Sequence, residues 1–261
     1  MAVEENEEDR MLLENRVAIV YGAGGSTGRA VATAFAREGA IVHLAGRTLE
    51  SLQGLAAEIR ETGGRAEVAV VDALDEAQVD AHAAAVVEAS GSIDISINLI
   101  AIGDVQGTPL VEMTLADFEQ PIHGGVRTAF LTGRAAARQM VTQGSGVLLF
   151  FGGVGDPVRD YSIGGFQVAL HAVDALQKQF AAELGRSGIR SVMIQTGGIA
   201  ETLPAEMPGR EEIMAMLTEP TMLGRAATLA DVGNVVAFAA SDRAAAITGS
   251  AINISAGSIL P

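Results

Sequence analysis

The chain has 261 residues, 49% of them hydrophobic, enough for one large α/β domain with a substantial core. Its 17 Lys+Arg against 32 Asp+Glu leave a formal net charge of −15, which argues against a nucleic-acid partner, because phosphate binding needs a concentrated positive field. There is no cysteine, hence no disulfide framework or thiolate site, and no run approaches the roughly 18 apolar residues of a membrane span.

The opening MAVEENEEDR is acidic, unlike a signal peptide, so a cytoplasmic protein is expected. Residues 1–14 read as a solvated acidic tail and 15–261 as a single domain. RVAIVY (16–21) is a short apolar run ending in a glycine cluster, the form of a buried parallel strand. A helix follows over Arg29 to Glu38, then a strand at 40–45 and a helix from Leu49 to Glu61 that stops at Gly63-Gly64. After a third strand at 66–71, Asp75 with Gln78 resembles a capping box for a helix to about Ala89. The fourth strand is placed at 92–101.

The second half continues in kind. Thr114 with Asp117 caps a short helix, a long helix covers 122–142, and GVLLFF (146–151) is strand five. A long helix over 164–184 and a strand over 189–195 follow, then an irregular Met-rich segment, 200–224. Thr228 with Asp231 caps the last helix, and SAINIS (250–255) closes the sheet. Strands alternating with helices predict a Rossmann-type, doubly wound parallel sheet of about seven strands with helices on both faces.

Ligands bind such sheets beyond the carboxyl ends of the strands. The first βα turn is Tyr21-Gly22-Ala23-Gly24-Gly25-Ser26-Thr27-Gly28, whose glycines let the backbone approach a pyrophosphate at the helix N-terminus. Arg47 follows strand two, and no acid lies between His43 and Thr48. A carboxylate there favours NAD, whereas an arginine pairs with the 2′-phosphate of NADP, so NADP(H) is the expected cofactor. Asp72 follows strand three, placed to meet the adenine amine. No His/Asp/Glu cluster has metal-ligand spacing.

With these features in place the chain resembles the short-chain dehydrogenase/reductase family from about Arg16 to Gly257. The glycine turn, Gly46-Arg47, Asp72-Ala73, Asp94…Asn98, PTMLGRAATLADVGNVVAFAASD (220–242) and ITGSAINISAG (247–257) all fall at the family's spacing. The resemblance implies cofactor contacts from Gly22, Gly25, Ser26, Thr27, Gly28, Arg47, Asp72, Ala73 and Asn98. It also implies a homotetramer or homodimer through the two long helices. The fingerprint departs from the family's TGxxxGxG at Tyr21 and Ser26, and the strand-four NNAG reads Asn98-Leu99-Ile100-Ala101. The added volume at Ser26, Ile100 and Ala101 is expected to crowd the cofactor and weaken its binding.

The family's reaction uses a Tyr-xxx-Lys pair, a serine and an asparagine; the tyrosine acts as general acid/base. Here Tyr21 and Tyr161 are followed four residues later by Gly25 and Gly165, and Lys178 is the only lysine. Aligning FQVALHAVDAL (166–176) with the active-site helix puts Phe166 at the tyrosine, Leu170 at the lysine and Gly153 at the serine; Gly125 falls at the asparagine. These replacements predict a roomier apolar cleft for an apolar small molecule. Tyr161, in the loop with Asp156, Arg159 and Asp160, is the one candidate proton donor. His123 is expected at a helix contact, and His171 at a subunit partner. The resemblance places 199–223 as the substrate lid, lined by Met207, Met214, Met216 and Met222. Three functions remain open at this point: an NADP(H)-dependent oxidoreductase with an atypical site, a non-catalytic binding or assembly scaffold, and a non-redox cyclase or isomerase.

Overall fold

Short runs of Val, Ile, Leu and Ala, apolar on both sides, suit strands sandwiched between helix layers. The computed structural model describes residues 11–101, 103–153 and 161–260. It forms β1 (Val17–Tyr21), β2 (Ile41–Gly46), β3 (Arg65–Val70), β4 (Ile95–Asn98), β5 (Gly146–Gly153), β6 (Ile189–Thr196) and β7 (Ser250–Ile254). All pair in parallel in the order β3-β2-β1-β4-β5-β6-β7. The expected doubly wound sheet is present.

Helices α1 (Ser26–Arg37), α2 (Leu49–Glu61), α3 (Glu76–Ser90), α4 (Leu115–Gln143), α5 (Gly164–Leu184), α6 (Arg210–Thr218) and α7 (Leu229–Ala240) make the crossovers. Val31, Leu52 and Val232 bring α1, α2 and α7 into the core on one face, and Val79, Leu131 and Val173 bring α3, α4 and α5 into the other. The α1–α7 contact is close: a Cβ on Gly233 would stand 3.0 Å from that of Ala34.

Local chemistry sets the helix ends. Thr228 and Asp231 form a reciprocal capping box on α7. Asp75 caps α3 by accepting from the Ala77 and Gln78 N–H groups, but Gln78 does not complete the box; its Oε1 accepts from the Asp72 N–H instead.

Four expectations need correction. The tail boundary at Glu14 is too late, because Leu13 is fully buried and its N–H bonds the Glu38 carbonyl at 2.9 Å. Thr114 and Pro121 do not delimit a short helix; α4 runs through Pro121 without a break. A proline costs a helix interior about 3 kcal/mol, and burial of Pro121, Gly125, Ala129 and Ala136 along one face offsets it. Segment 200–224 is not wholly irregular, since it contains α6, whose residues are never fully buried and so print no apolar stripe. Strand four is shorter than 92–101.

One polar cluster lies inside the second core. Tyr21 is 1% exposed, and its hydroxyl is 3.2 Å from His82 Nδ1, with the rings edge to face at 5.5 Å. His82 Nε2 has no partner. His43, on the same side of the sheet, pairs with Ser90 Oγ at 2.9 Å. Burial, reinforced by His43, lowers the His82 pKa to about 4. Unfolded, the ring takes up its proton near 6.5, so between those values the unfolded state holds more protons and stability falls as pH falls. The total is about 3 kcal/mol. Urea unfolding between pH 7 and 4 should register this loss, and His82→Asn should flatten the slope in that window.

Candidate functional site

The strand order reverses between β1 and β4, and the crevice beyond their carboxyl ends holds a cleft of about 630 Å³, within the usual range for ligand pockets. Its near wall is the β1–α1 turn. Gly22 sits at φ +81°, and a Cβ there would stand 2.6 Å from the Leu99 carbonyl oxygen. A Cβ on Gly28 would overlap the Gly22 carbonyl. These two glycines are therefore needed by the chain's own packing. Gly24 and Gly25 face the cleft, and a Cβ on Gly25 would meet nothing nearer than 3.6 Å. Here the missing side chain leaves room for a ligand.

Helix α1 begins at Ser26 with Gly25 as its N-cap, no capping side chain and no acid in its first turn. Its leading N–H groups and positive dipole end are left for an anion. Ser26 is exposed and does not border the void, so the expected crowding at Ser26 does not occur. Ile100 and Ala101 do line the cleft, yet about 630 Å³ remains with them in place.

Arg47 borders the cleft with Thr48 and Ser51 and forms no ion pair with a described residue. Ser51 Oγ donates to the Gly24 carbonyl at 3.1 Å, closing this corner. On the far side Val71, Asp72, Ala73 and Leu74 line the wall; Asp72 Oδ1 accepts from the Leu74 N–H at 3.0 Å and fixes that turn. Asn98 is not brought to the void. Its Nδ2 donates to Thr132 Oγ1 and its Oδ1 accepts from the Ile100 N–H, so it positions the strand-four end. His123 is also displaced from expectation, bordering the cleft with Gln120, Gly124 and Thr128 rather than a neighbouring helix.

Of the positions expected to carry replacements, Gly125 and Leu170 border a second void, with Gly152, Phe150 and Met193, of only about 30 Å³, room for one or two waters. Among the described residues the expected roomier apolar cleft is not seen there, since Leu170, 8% exposed, occupies the space. A Cβ on Gly152 would stand 2.9 Å from Leu170 Cδ2, and one on Gly153 3.4 Å from Cδ1. Phe166 is half-buried one turn earlier and borders neither cavity. Tyr161 is 42% exposed and borders neither cavity, so it is not assembled with the other candidates. Lys178 pairs with Asp174 at 2.6 Å, two turns beyond Leu170. Asp156, Arg159 and Asp160 lie outside the described residues. Met207, Met216 and Met222 are exposed, and Met222 packs over Gly257. Among the described residues there is no cluster able to hold a metal, and no helix long and apolar enough to cross a membrane.

Fold and cleft together define a doubly wound protein with a nucleotide-type crevice. The model of a family described as enoyl-(acyl carrier protein) reductase matches residues 22–258. The levodione reductase of Leifsonia aquatica is 32% identical, over 93% of this chain and 94% of its own. The 3α-hydroxysteroid dehydrogenase of Mediterraneibacter gnavus is 30% identical, over 94% and 97%. A solved short-chain type dehydrogenase/reductase from Mycobacterium marinum superposes with a TM-score of 0.86 at 28% identity, covering 97% of this chain and 99% of that one. The chain belongs to the short-chain dehydrogenase/reductase family, whose members bind a nicotinamide cofactor.

The glycine geometry separates two roles experimentally. Gly28→Ala should destabilise the fold by about 3 kcal/mol or more, because backbone must move. Gly25→Ala should cost the fold under about 1 kcal/mol while narrowing the cleft. Denaturant midpoints of the two variants check the contrast.

Proposed function

We propose that the protein binds NADP(H) in the crevice and does not carry out the family's tyrosine-driven carbonyl reduction. One contrast among the described residues supports this reading: a cleft of about 630 Å³ beside β1 and β4, against about 30 Å³ around Leu170 and Gly125, where the family places its lysine and asparagine. At the second place Leu170 packs on Gly152.

The residues present fit the nucleotide. Gly24 and Gly25 leave space for the pyrophosphate, and the first turn of α1, Ser26, Thr27 and Gly28, turns N–H groups toward it. Arg47, without a carboxylate partner, suits the 2′-phosphate of NADP rather than a free ribose hydroxyl. Asp72, Ala73 and Leu74 flank the adenosine end.

When bound, a nicotinamide supplies a hydride. At the reaction end the described residues offer Leu170, Gly125 and Gly153 in place of groups that hold or move a proton, and Tyr161, 42% exposed, borders neither cavity. This supports the binding role over the reductase, and among the described residues only about 30 Å³ is left at these positions for shape-driven cyclase chemistry.

Thermal unfolding tests the reading directly, since a ligand that binds only the native state raises the midpoint. Saturating NADPH should raise it more than NADH at equal concentration, and Arg47→Ala should remove most of that difference. No rise with either nucleotide overturns the proposal.

Phe130, Val141 and Val168 leave apolar surface exposed on the outer faces of α4 and α5. They support assembly through these helices. Sedimentation at micromolar concentration should find a dimer or tetramer, and Val168→Glu should shift it toward monomer.

A further inference from the structure

One titratable side chain on the α4 wall of the cleft has no task in the reading above. Gln120, His123, Gly124 and Thr128 are spaced by three and four residues, so a single stripe of α4 borders the void. His123 is exposed and forms no hydrogen bond or ion pair with a described residue. His43 and His82 are buried elsewhere, behind β1 and β2, and His171 lies outside the cleft lining. Among the described residues, His123 is thus the one imidazole on the cleft lining.

Among the described residues, two side chains of fixed charge line the cleft with it. Arg47 faces the cleft from the β2–α2 connection as a fixed cation. Asp72 faces it from the β3–α3 connection, with one oxygen occupied by the Leu74 N–H. On α4 itself Asp117 is held by Thr114, Glu119 stands beside Gln120, and Arg127 donates to the Leu74 carbonyl at 3.1 Å. Tyr21, at the floor, stays a neutral phenol because burial pushes its pKa up. Among the described residues Arg47 is then the only permanent cation on the cleft lining, and the bound nucleotide is a polyanion.

Resting on the reading of this cleft as a nucleotide site, we propose that His123 is a proton-gated contact for the anionic nucleotide. Its imidazolium form adds a second cation to the wall opposite the glycine turn. Affinity then rises as pH falls and the ring gains its proton. By linkage, bound nucleotide in turn raises the pH at which His123 gives up its proton. The site becomes a binder whose occupancy reports both nucleotide concentration and pH.

The test is NADPH affinity, by calorimetry or fluorescence, at pH 6, 7 and 8 for the native protein, His123→Gln and His123→Lys. The 2′-phosphate of NADPH itself titrates near pH 6, but it does so equally in every variant. The ratio of native to His123→Gln dissociation constants therefore isolates the imidazole. That ratio should change about threefold to tenfold between pH 8 and pH 6, the native protein gaining at acid pH. His123→Lys should bind tightly across the range, restoring at pH 8 what the neutral imidazole lacks. In proton NMR the ring signal that disappears in His123→Gln should titrate at higher pH with NADPH bound than without.

Parallel pH profiles for the native protein and His123→Gln would overturn the inference and leave the nucleotide site standing. Failure of NADPH to bind any of the three at any pH would overturn both.

Discussion

Everything at the crevice depends on how close three backbone segments come at Gly22. Its carbonyl accepts from the Gly25 N–H at 3.2 Å and abuts Gly28, while its α-carbon lies against the Leu99 carbonyl. Strand β1, helix α1 and the end of β4 thus meet without an intervening side chain. That approach places Leu99, Ile100 and Ala101 on the cleft lining beside the turn. The departures from the family's glycine pattern fit the same geometry. Tyr21 turns its ring down into the second core, and Ser26 sits on the outside of the first helical turn, so neither fills the space that Gly24 and Gly25 keep open.

Where periodicity and punctuation coincide, the fold was legible in the sequence. Helices α2 and α5 have the bounds expected from apolar spacing and flanking glycines, and Thr228 with Asp231 does cap α7. Legibility failed where the deciding force is tertiary. The proline in α4 is tolerated because packing along the helix outweighs a local penalty. Helix α6 buries no residue and so leaves no stripe. Leu13 reads as part of an acidic tail, although the core captures it.

The candidate site divides in the same way. Arg47, Gly22, Gly25 and Asp72 were found from their places at strand ends, which the topology carries to one crevice. Asn98 was named as a cofactor contact, but its amide is spent on Thr132 and Ile100, a matter of hydrogen-bond partners that spacing does not encode. His123 does face away from Gly125, as its offset implies, but it borders the cleft, where a helix contact was expected. The stripe it shares with Gln120, Gly124 and Thr128 was the signal that would have found it. Around Gly125 and Gly153 the sequence predicts opened space, and among the described residues Leu170 stands in it. Missing side chains open volume only if no neighbour can enter it, and Leu170 enters it.

That interlock between Leu170 and Gly152 also constrains the routes by which such a site changes. Leu170 Cδ2 would stand 2.9 Å from a Cβ at 152, so a side chain added there makes the end of the leucine shift. Shortening Leu170 alone leaves a cavity costing about 2–5 kcal/mol, and an ammonium there alone is buried among apolar groups. Contacting positions of this kind couple rather than add. Leu170 and Gly152 therefore answer to each other: a change in size at one position is felt as packing at the other.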